Sequence, residues 1–279
     1  MRIGTLRTPT PSAGYVAYYP CLQPNTDTSL KDRGGQGNDG TFNSLTTGEA
    51  WTASNCLSNP TTASHHVTLA KAALAAKWRW NASVRDSLFV AFKCKITLPG
   101  SNNPFMGNAN STSEGGLKFN VDNAGKLQFA FYDKVTGTSQ FSAQSGAIDA
   151  SWASNYHSVA MHLDGPNNSF TAYADGVALS GLTSIALSSV TVLEPQSTTF
   201  DWTVNGASQL SQVTGTAMAM YGFHMLAVPY ASGSIAKPDH LAMRLHRNPL
   251  ALISGGSGAE VPYRSEERRV GKECLRLCR

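Results

Sequence analysis

The chain reads as an all-β protein, a two-sheet antiparallel sandwich of jelly-roll type with one short C-terminal helix. Three observations carry that reading. Within Tyr156 to Leu179, Val159, Met161 and Leu163 alternate with Ser158, Ala160 and His162, the period of a strand with one buried face. Dense turn chemistry separates such runs. Asp164-Gly165-Pro166-Asn167-Asn168 breaks the first, and Asp175-Gly176 suits a type I′ turn, whose central residues both need positive φ. Only 14% of the residues are charged, while Gly, Ser, Thr, Asn and Ala abound, as many short strands and tight turns require.

Taken in order, residues 1–13 are Pro- and Thr-rich and are expected to form an arm. Tyr15 to Pro20 is the first strand, with Pro20 suited to its end. Asn25 to Gly48 is expected to be a polar loop in which Gly34, Gly35, Gly37 and Gly40 offer positive-φ positions. A strand is expected at 66–70. Residues 71–80 stay open, because alanine favours helix but a helix so short depends on packing. Ser87 to Leu98 is the clearest strand, with Val90, Phe92, Cys94, Ile96 and Leu98 on one face and Phe89, Ala91, Lys93 and Lys95 on the other.

Ser101 to Gly116 reads as a long loop. Leu117 to Val121 and Lys126 to Tyr132 form a hairpin turning at Asp122-Asn123-Ala124-Gly125. The central segment is a three-strand meander, and Leu187 to Leu193 is a further candidate strand. Pro195 to Gln212 reads as a second long loop, holding Asp201 and Trp202. Ala217 to Val228 is a buried strand. Pro238 to Arg247 is the one helix expected: proline is tolerated in a first turn, Leu241 and Leu245 are i,i+4, and Pro249 stops it. All-β sandwiches often exceed 200 residues as one domain, and a chain of 279 can bury a sizeable core.

Four stretches carry a family resemblance. They are Tyr18-Tyr19-Pro20 with Asp32-Arg33-Gly34-Gly35-Gln36-Gly37-Asn38-Asp39-Gly40-Thr41, the Ser87 to Leu98 strand, the Tyr156 to Leu179 meander, and Leu245-His246-Arg247-Asn248-Pro249-Leu250-Ala251-Leu252. In this order and spacing, residues 14–253 resemble a laminin-G-like domain of the concanavalin A-like lectin/glucanase superfamily, of the phage or metagenomic type. The resemblance implies a lectin-like sandwich with loops at its rim. Arg33-Gly34 departs from the family's small residue and serine, so nothing built on that serine carries over.

Residues 254–263 read as a Gly/Ser linker. Arg264 to Cys274, RSEERRVGKEC, resembles an in-frame translation of a sequencing-library adapter, so 264–279 is expected to be a non-native tail. That tail holds six basic and three acidic residues; the body keeps 16 basic and 15 acidic, a net of +1 against +4 for the whole chain. A nucleic-acid partner needs a clustered basic stripe, which the body lacks. No run of 18 apolar residues exists to span a membrane, and the N-terminus has no apolar signal-peptide region. A virion or extracellular location is expected, reached by lysis, assembly, or a leader outside this sequence. The three body cysteines, Cys21, Cys56 and Cys94, match neither a disulfide framework nor a zinc site. Cys94 reads as a small core hydrophobe.

Glycoside hydrolysis normally needs two carboxyl groups flanking the scissile bond. The superfamily's glucanases place them at alternating positions of one strand, yet the nearest acidic pair in this body is Asp27 and Asp32. A G-x-S-x-G elbow is also missing. The expectation is a protein that is not an enzyme. His157, His162 and His224 fall in strands, where structural histidines are common. For a cofactor, calcium suits oxygen donors on a flexible loop, and Asp32, Asn38 and Asp39 are the candidate ligands; the competing reading is a turn in which they bond their own backbone. For ligand binding, Asn108 and Asn110 in one loop and Asp201 and Trp202 in the other combine amides with a flat aromatic surface. Alternatively Trp202 caps the core. The leading expectation is a non-catalytic carbohydrate-binding or adhesion module that meets a glycan or cell-surface polysaccharide. Beside it stand a structural virion subunit contacting other subunits, and a glycoside hydrolase with an unrecognised site.

Overall fold

The computed structural model describes residues 14–21, 27–50, 57–59, 65–97, 103–108, 116–122, 124–133, 138–149, 151–187, 189–193, 201–205 and 218–250. The 1–13 arm, the 254–263 linker and the 264–279 tail lie outside them, as do Asn110 and Cys56. The first strands are β1 (Tyr15–Tyr19), β2 (Ser29–Leu30), β3 (Gly40–Asn43), β4 (Leu57–Asn59), β5 (His66–Leu69) and β6 (Ser87–Ile96). Next come β7 (Asn103–Gly107), β8 (Gly116–Val121), β9 (Lys126–Asp133), β10 (Thr138–Ala147) and β11 (His157–Asp164). The last are β12 (Ser169–Ala174), β13 (Val177–Ala178), β14 (Ile185–Ala186), β15 (Trp202–Asn205) and β16 (Met218–Val228).

These strands form two antiparallel eight-stranded sheets packed as a jelly-roll sandwich. The first runs β1-β16-β6-β11-β12-β13, with β4 on β16 and β14 on β12. The second runs β10-β9-β8-β7-β15-β5-β3-β2. Between them lies a core whose sequence signal was the alternation itself. Leu88, Val90, Phe92, Cys94 and Ile96 of β6 and Val159, Met161 and Leu163 of β11 all point inward. Cys94 is fully buried, and its apolar surroundings push the thiol pKa up. Aromatic rings join the sheets. Phe92 meets Phe105 edge-on at 6.0 Å, Phe119 meets Phe129 at 5.3 Å, and Phe129 and Phe131 meet Phe170 at 5.2 and 5.0 Å.

The meander is as the turn chemistry predicts. Asp175 and Gly176 both have positive φ, 50° and 77°. At the other turn, Gly165 lies so close to β6 that a Cβ there would sit 1.6 Å from the Arg85 carbonyl oxygen.

Several segments read as loops contain strands. β3, β7 and β15 fall within the stretches 25–48, 101–116 and 195–212. The residues of β3 and β7 (Gly-Thr-Phe-Asn, Asn-Pro-Phe-Met-Gly) lack a clean alternation and pair because neighbouring strands offer backbone partners. Leu187 to Leu193 does the reverse. Leu187, Val190 and Leu193 are buried at a spacing of three rather than two. The segment is held by Asp133, whose carboxylate accepts the N–H groups of Thr191 and Val192. The open stretch 71–80 holds a short helix α2 (Lys71–Ala75), after which Trp78 and Trp80 enter the core.

Besides α2, two four-residue helices, α1 (Thr47–Ala50) and α3 (Ser151–Ser154), precede the ten-residue α4 (Pro238–Arg247). Helix α4 belongs to a second hydrophobic cluster on the outer face of the first sheet. Ala242 and Leu245 lie there with Tyr15, Tyr18, Phe89, Ala91, Ala160 and Leu226. The segment just after α4 is pinned to that face. His224 Nε2 donates to the Pro249 carbonyl at 2.7 Å, Nδ1 accepts from the Tyr15 hydroxyl at 3.0 Å, and Tyr18 donates to the Leu250 carbonyl at 2.9 Å. A neutral imidazole satisfies both of its bonds, and burial holds the His224 pKa down to about 4. His162 on the same face is likewise lowered by burial to about 4, against a weaker pull from Asp164.

Two predictions follow from this packing. Gly165→Ala should cost at least about 3 kcal/mol of unfolding free energy in urea, since a backbone oxygen cannot yield as a side chain can; a loss under 1 kcal/mol would refute the close approach. Both histidines stay neutral in the fold and take a proton only on unfolding, so stability must fall as pH drops from about 6.5 toward about 4. His162→Leu should flatten that fall, measured as urea unfolding at pH 7 and pH 4.5. An unchanged slope would show that His162 is not held neutral.

Candidate functional site

The outer face of the second sheet is unlike that of the first. Residues directly opposite one another in antiparallel strands share a face, so the register defines a row crossing all eight strands. Ser29 pairs with Thr41, Thr41 with Thr68, and Thr68 with Thr203. Thr203 pairs with Gly107, Gly107 with Lys118, Lys118 with Ala130, and Ala130 with Ser142. Every residue in this row is small or polar except Lys118. Gly107, at φ 132°, could not be otherwise, because a Cβ would lie 2.2 Å from the Leu117 carbonyl. Beside the row Asn120 faces Gln128, and its amide donates to the Gln128 side-chain oxygen at 3.0 Å.

The row is sunken. Thr203 is 0% exposed, Thr68 3%, Asn120 7% and Lys118 8%, whereas Thr41 at one end is open. The Thr68 hydroxyl takes a hydrogen bond from Asn43 at 3.0 Å. Thr203 Oγ1 and Asn120 Oδ1, by contrast, have no partner. A buried polar atom without a partner costs about 1–3 kcal/mol, and this face carries two. Burial lowers the Lys118 pKa below the ordinary lysine value. Neither the carboxylate before β15 nor the one after β8 goes to a lysine ammonium in the bonds it makes here. Asp201 Oδ1 accepts the Lys71 N–H at 2.9 Å, and Asp122 Oδ1 accepts the N–H groups of Ala124 and Lys126 at 2.9 and 2.8 Å.

The residues proposed from sequence separate. Asn108 closes β7 one position beyond the row; its Oδ1 accepts the Leu117 N–H at 2.9 Å, and its Nδ2, buried, has no partner. Asp201 anchors the start of α2, as above. Trp202 is not a solvent-facing platform. It is fully buried and packs edge-on to Phe119 at 5.9 Å, because strand alternation sends Trp202 and Val204 inward and only Thr203 outward.

The Asp32 to Thr41 turn is organised by hydrogen bonds. Asp32 Oδ1 accepts from the Tyr18 and Gly34 N–H groups at 3.0 and 2.7 Å, and Oδ2 from Gln36 and Asn38 at 3.0 and 3.1 Å. These fill the four lone-pair sites of a carboxylate. Asp39 accepts the Asp32 N–H and the Lys31 ammonium, 2.9 and 2.8 Å. Although burial opposes it, these donors hold the Asp39 carboxyl below its usual range. Asn38 Nδ2 donates to the Val16 carbonyl at 2.7 Å. This donor set does not fit calcium: the oxygens it would use already serve the turn. Among the described residues no cluster of three His, Cys, Asp or Glu side chains could hold a metal.

One arrangement escaped the sequence. Ser151, His157 and Asp175 stand in line, with Ser151 Oγ 3.2 Å from His157 Nε2 and His157 Nδ1 2.8 Å from Asp175 Oδ2. The serine hydroxyl, however, gives its one proton to Asp149. Trp152 stacks on the imidazole at 4.5 Å. Asp175 Oδ1 meanwhile accepts the Ser158 N–H at 3.0 Å and lies 3.4 Å from His246 of α4. The group works as a clamp joining the β12–β13 turn, α3 and α4.

No protein-family model and no curated protein matches the chain. Among solved structures it is similar to Trypanosoma rangeli sialidase, with a TM-score of 0.55 and 13% identity over 85% of this chain and 33% of that one. The same sialidase in complex with sialic acid gives a TM-score of 0.53 at the same identity and coverage. The receptor binding domain of botulinum neurotoxin mosaic serotype C/D gives 0.53 at 13% identity, over 84% of this chain and 50% of that one. At such identities the likeness is one of fold. The chain spans a third of the sialidase and half of the toxin domain.

Trp202→Ala should cost about 3–5 kcal/mol in urea unfolding, with Trp202→Phe costing far less. If Trp202→Ala melted like the parent, its place in the core would be wrong.

Proposed function

We propose that this chain is a non-catalytic carbohydrate-binding module, displayed on a virion or another extracellular surface. The observation that carries the reading is the sunken polar row of the second sheet, with unpaired hydrogen-bonding atoms at Thr203 and Asn120. A sugar presents hydroxyl groups that both donate and accept, and threonine and asparagine side chains can answer them. Small residues at Thr68, Thr203, Gly107 and Ala130 put no long side chain across the middle of the row. The laminin-G-like sequence pattern supports the same reading. So do neighbours of like fold, which include a sialidase in complex with sialic acid and a toxin receptor binding domain. On this reading binding does not depend on calcium, because the Asp32 carboxylate is engaged by the hydrogen bonds of its own turn.

The test is a glycan array on the full chain, with calcium and with chelator. At least one glycan class should bind, equally in both conditions. Thr203→Val removes an unpaired hydroxyl and keeps the shape. It should weaken binding several-fold, about 1 kcal/mol, while leaving thermal stability equal or higher. No bound glycan, together with self-assembly on sizing, would replace this reading with a structural virion subunit. Release of reducing sugar would replace it with a glycosidase.

A further inference from the structure

The row contains one charge, Lys118, at its centre. It sits between Gly107 and Ala130, neighbours with no side chain or a single methyl group, so nothing beside it on either strand can supply a counter-charge. Its side chain is 8% exposed, and no ion pair or hydrogen bond from the described residues reaches its ammonium. Asp122 and Asp201, nearest along β8 and before β15, spend the oxygens described above on backbone N–H groups. Lysines are rarely buried unless paired. Among the described residues no pairing partner is present, while acceptors without partners lie on the same face at Thr203 and Asn120. A neutral sugar would satisfy the amide and the hydroxyl but would leave the ammonium uncompensated.

We infer that the glycan bound across the second sheet carries an anionic group, a sugar carboxylate or a sulfate ester, seated against Lys118. This rests on the carbohydrate-binding reading and narrows it. The ammonium is a compact point charge with rotatable donors, able to meet either anion. Its burial makes the contact stronger and less salt-screened than one on an open surface. It also explains the lowered pKa of Lys118, since the group is desolvated without a counter-ion.

The experiment is calorimetric titration of the full chain with four probes: oligogalacturonate, its fully methyl-esterified form, a sulfated galactan oligosaccharide, and the desulfated galactan. At least one anionic probe should bind about tenfold or more tightly than its neutral counterpart. Lys118→Gln should abolish that preference, and Lys118→Arg should retain most of it. A melting curve for each variant checks the fold, and Lys118→Gln should melt no lower than the parent, because it removes a desolvated charge. Equal binding of charged and neutral probes, unchanged in Lys118→Gln, would overturn the anionic preference while leaving the carbohydrate-binding reading intact. Binding to no glycan in these titrations or on the array would remove both.

Discussion

An aromatic seam holds the two sheets together, and the remaining features take their positions from it. Phe92 of the first sheet meets Phe105 of the second, Phe105 approaches Phe119 at 6.4 Å, and Phe119 touches both Phe129 and Trp202. Phe129 and Phe131 then return the contact to Phe170 in the first sheet. Rings tilted or edge-on to one another fill a layer without voids, and each such pair adds about 0.5–1.5 kcal/mol beyond the area it buries. On the alternating strands β8 and β15, committing the ring residues inward commits their neighbours outward. Thr203 faces out because Trp202 and Val204 face in; Lys118 and Asn120 do so because Leu117, Phe119 and Val121 do not.

The two outer faces then diverge. In the first sheet the outward residues include Phe89, Ala91, Ala160 and Leu226, which could not be left wet; α4 and the Pro249–Leu250 segment after it lie against that face. The Asp175 clamp ties the same helix to the meander turn and α3. In the second sheet the outward residues are small or polar with one lysine, and among the described residues Thr203 Oγ1 and Asn120 Oδ1 find no partner. Both faces are buried at their centres; the first is lined with apolar residues under α4, and the second with polar ones.

Among the sequence-derived candidates, two groups carried alternative readings that only the assembled structure separates. Asp32, Asn38 and Asp39 have the side chains calcium prefers, but the same chemistry closes a turn, and only the positions of the Tyr18, Gly34 and Gln36 N–H groups reveal which use it serves. Trp202 sat in a stretch dense with Ser, Thr and Gln that resembled a loop. Its burial depends on pairing with Leu69 across β5, a contact 133 positions away that no local pattern signals. The polar row itself collects one residue from each of eight strands. Lys118 and Asn120 were legible as the solvent side of a strand, yet their alignment with Thr203 and Thr68 was not.

By itself the sequence determined the class of fold, the long central strands with the direction of their side chains, the type I′ turn at Asp175-Gly176, and the helix at 238–247. All of these follow from interactions between residues a few positions apart: period-two burial, positive-φ preference, and the stop imposed by proline. The tertiary structure alone decided the short strands β3, β7 and β15, the burial of Leu187, Val190 and Leu193 outside any strand, the clamp at Asp175, and the row across the second sheet. Those depend on which backbone edges and side chains meet after distant segments have packed, and that is a property of the assembled sheets.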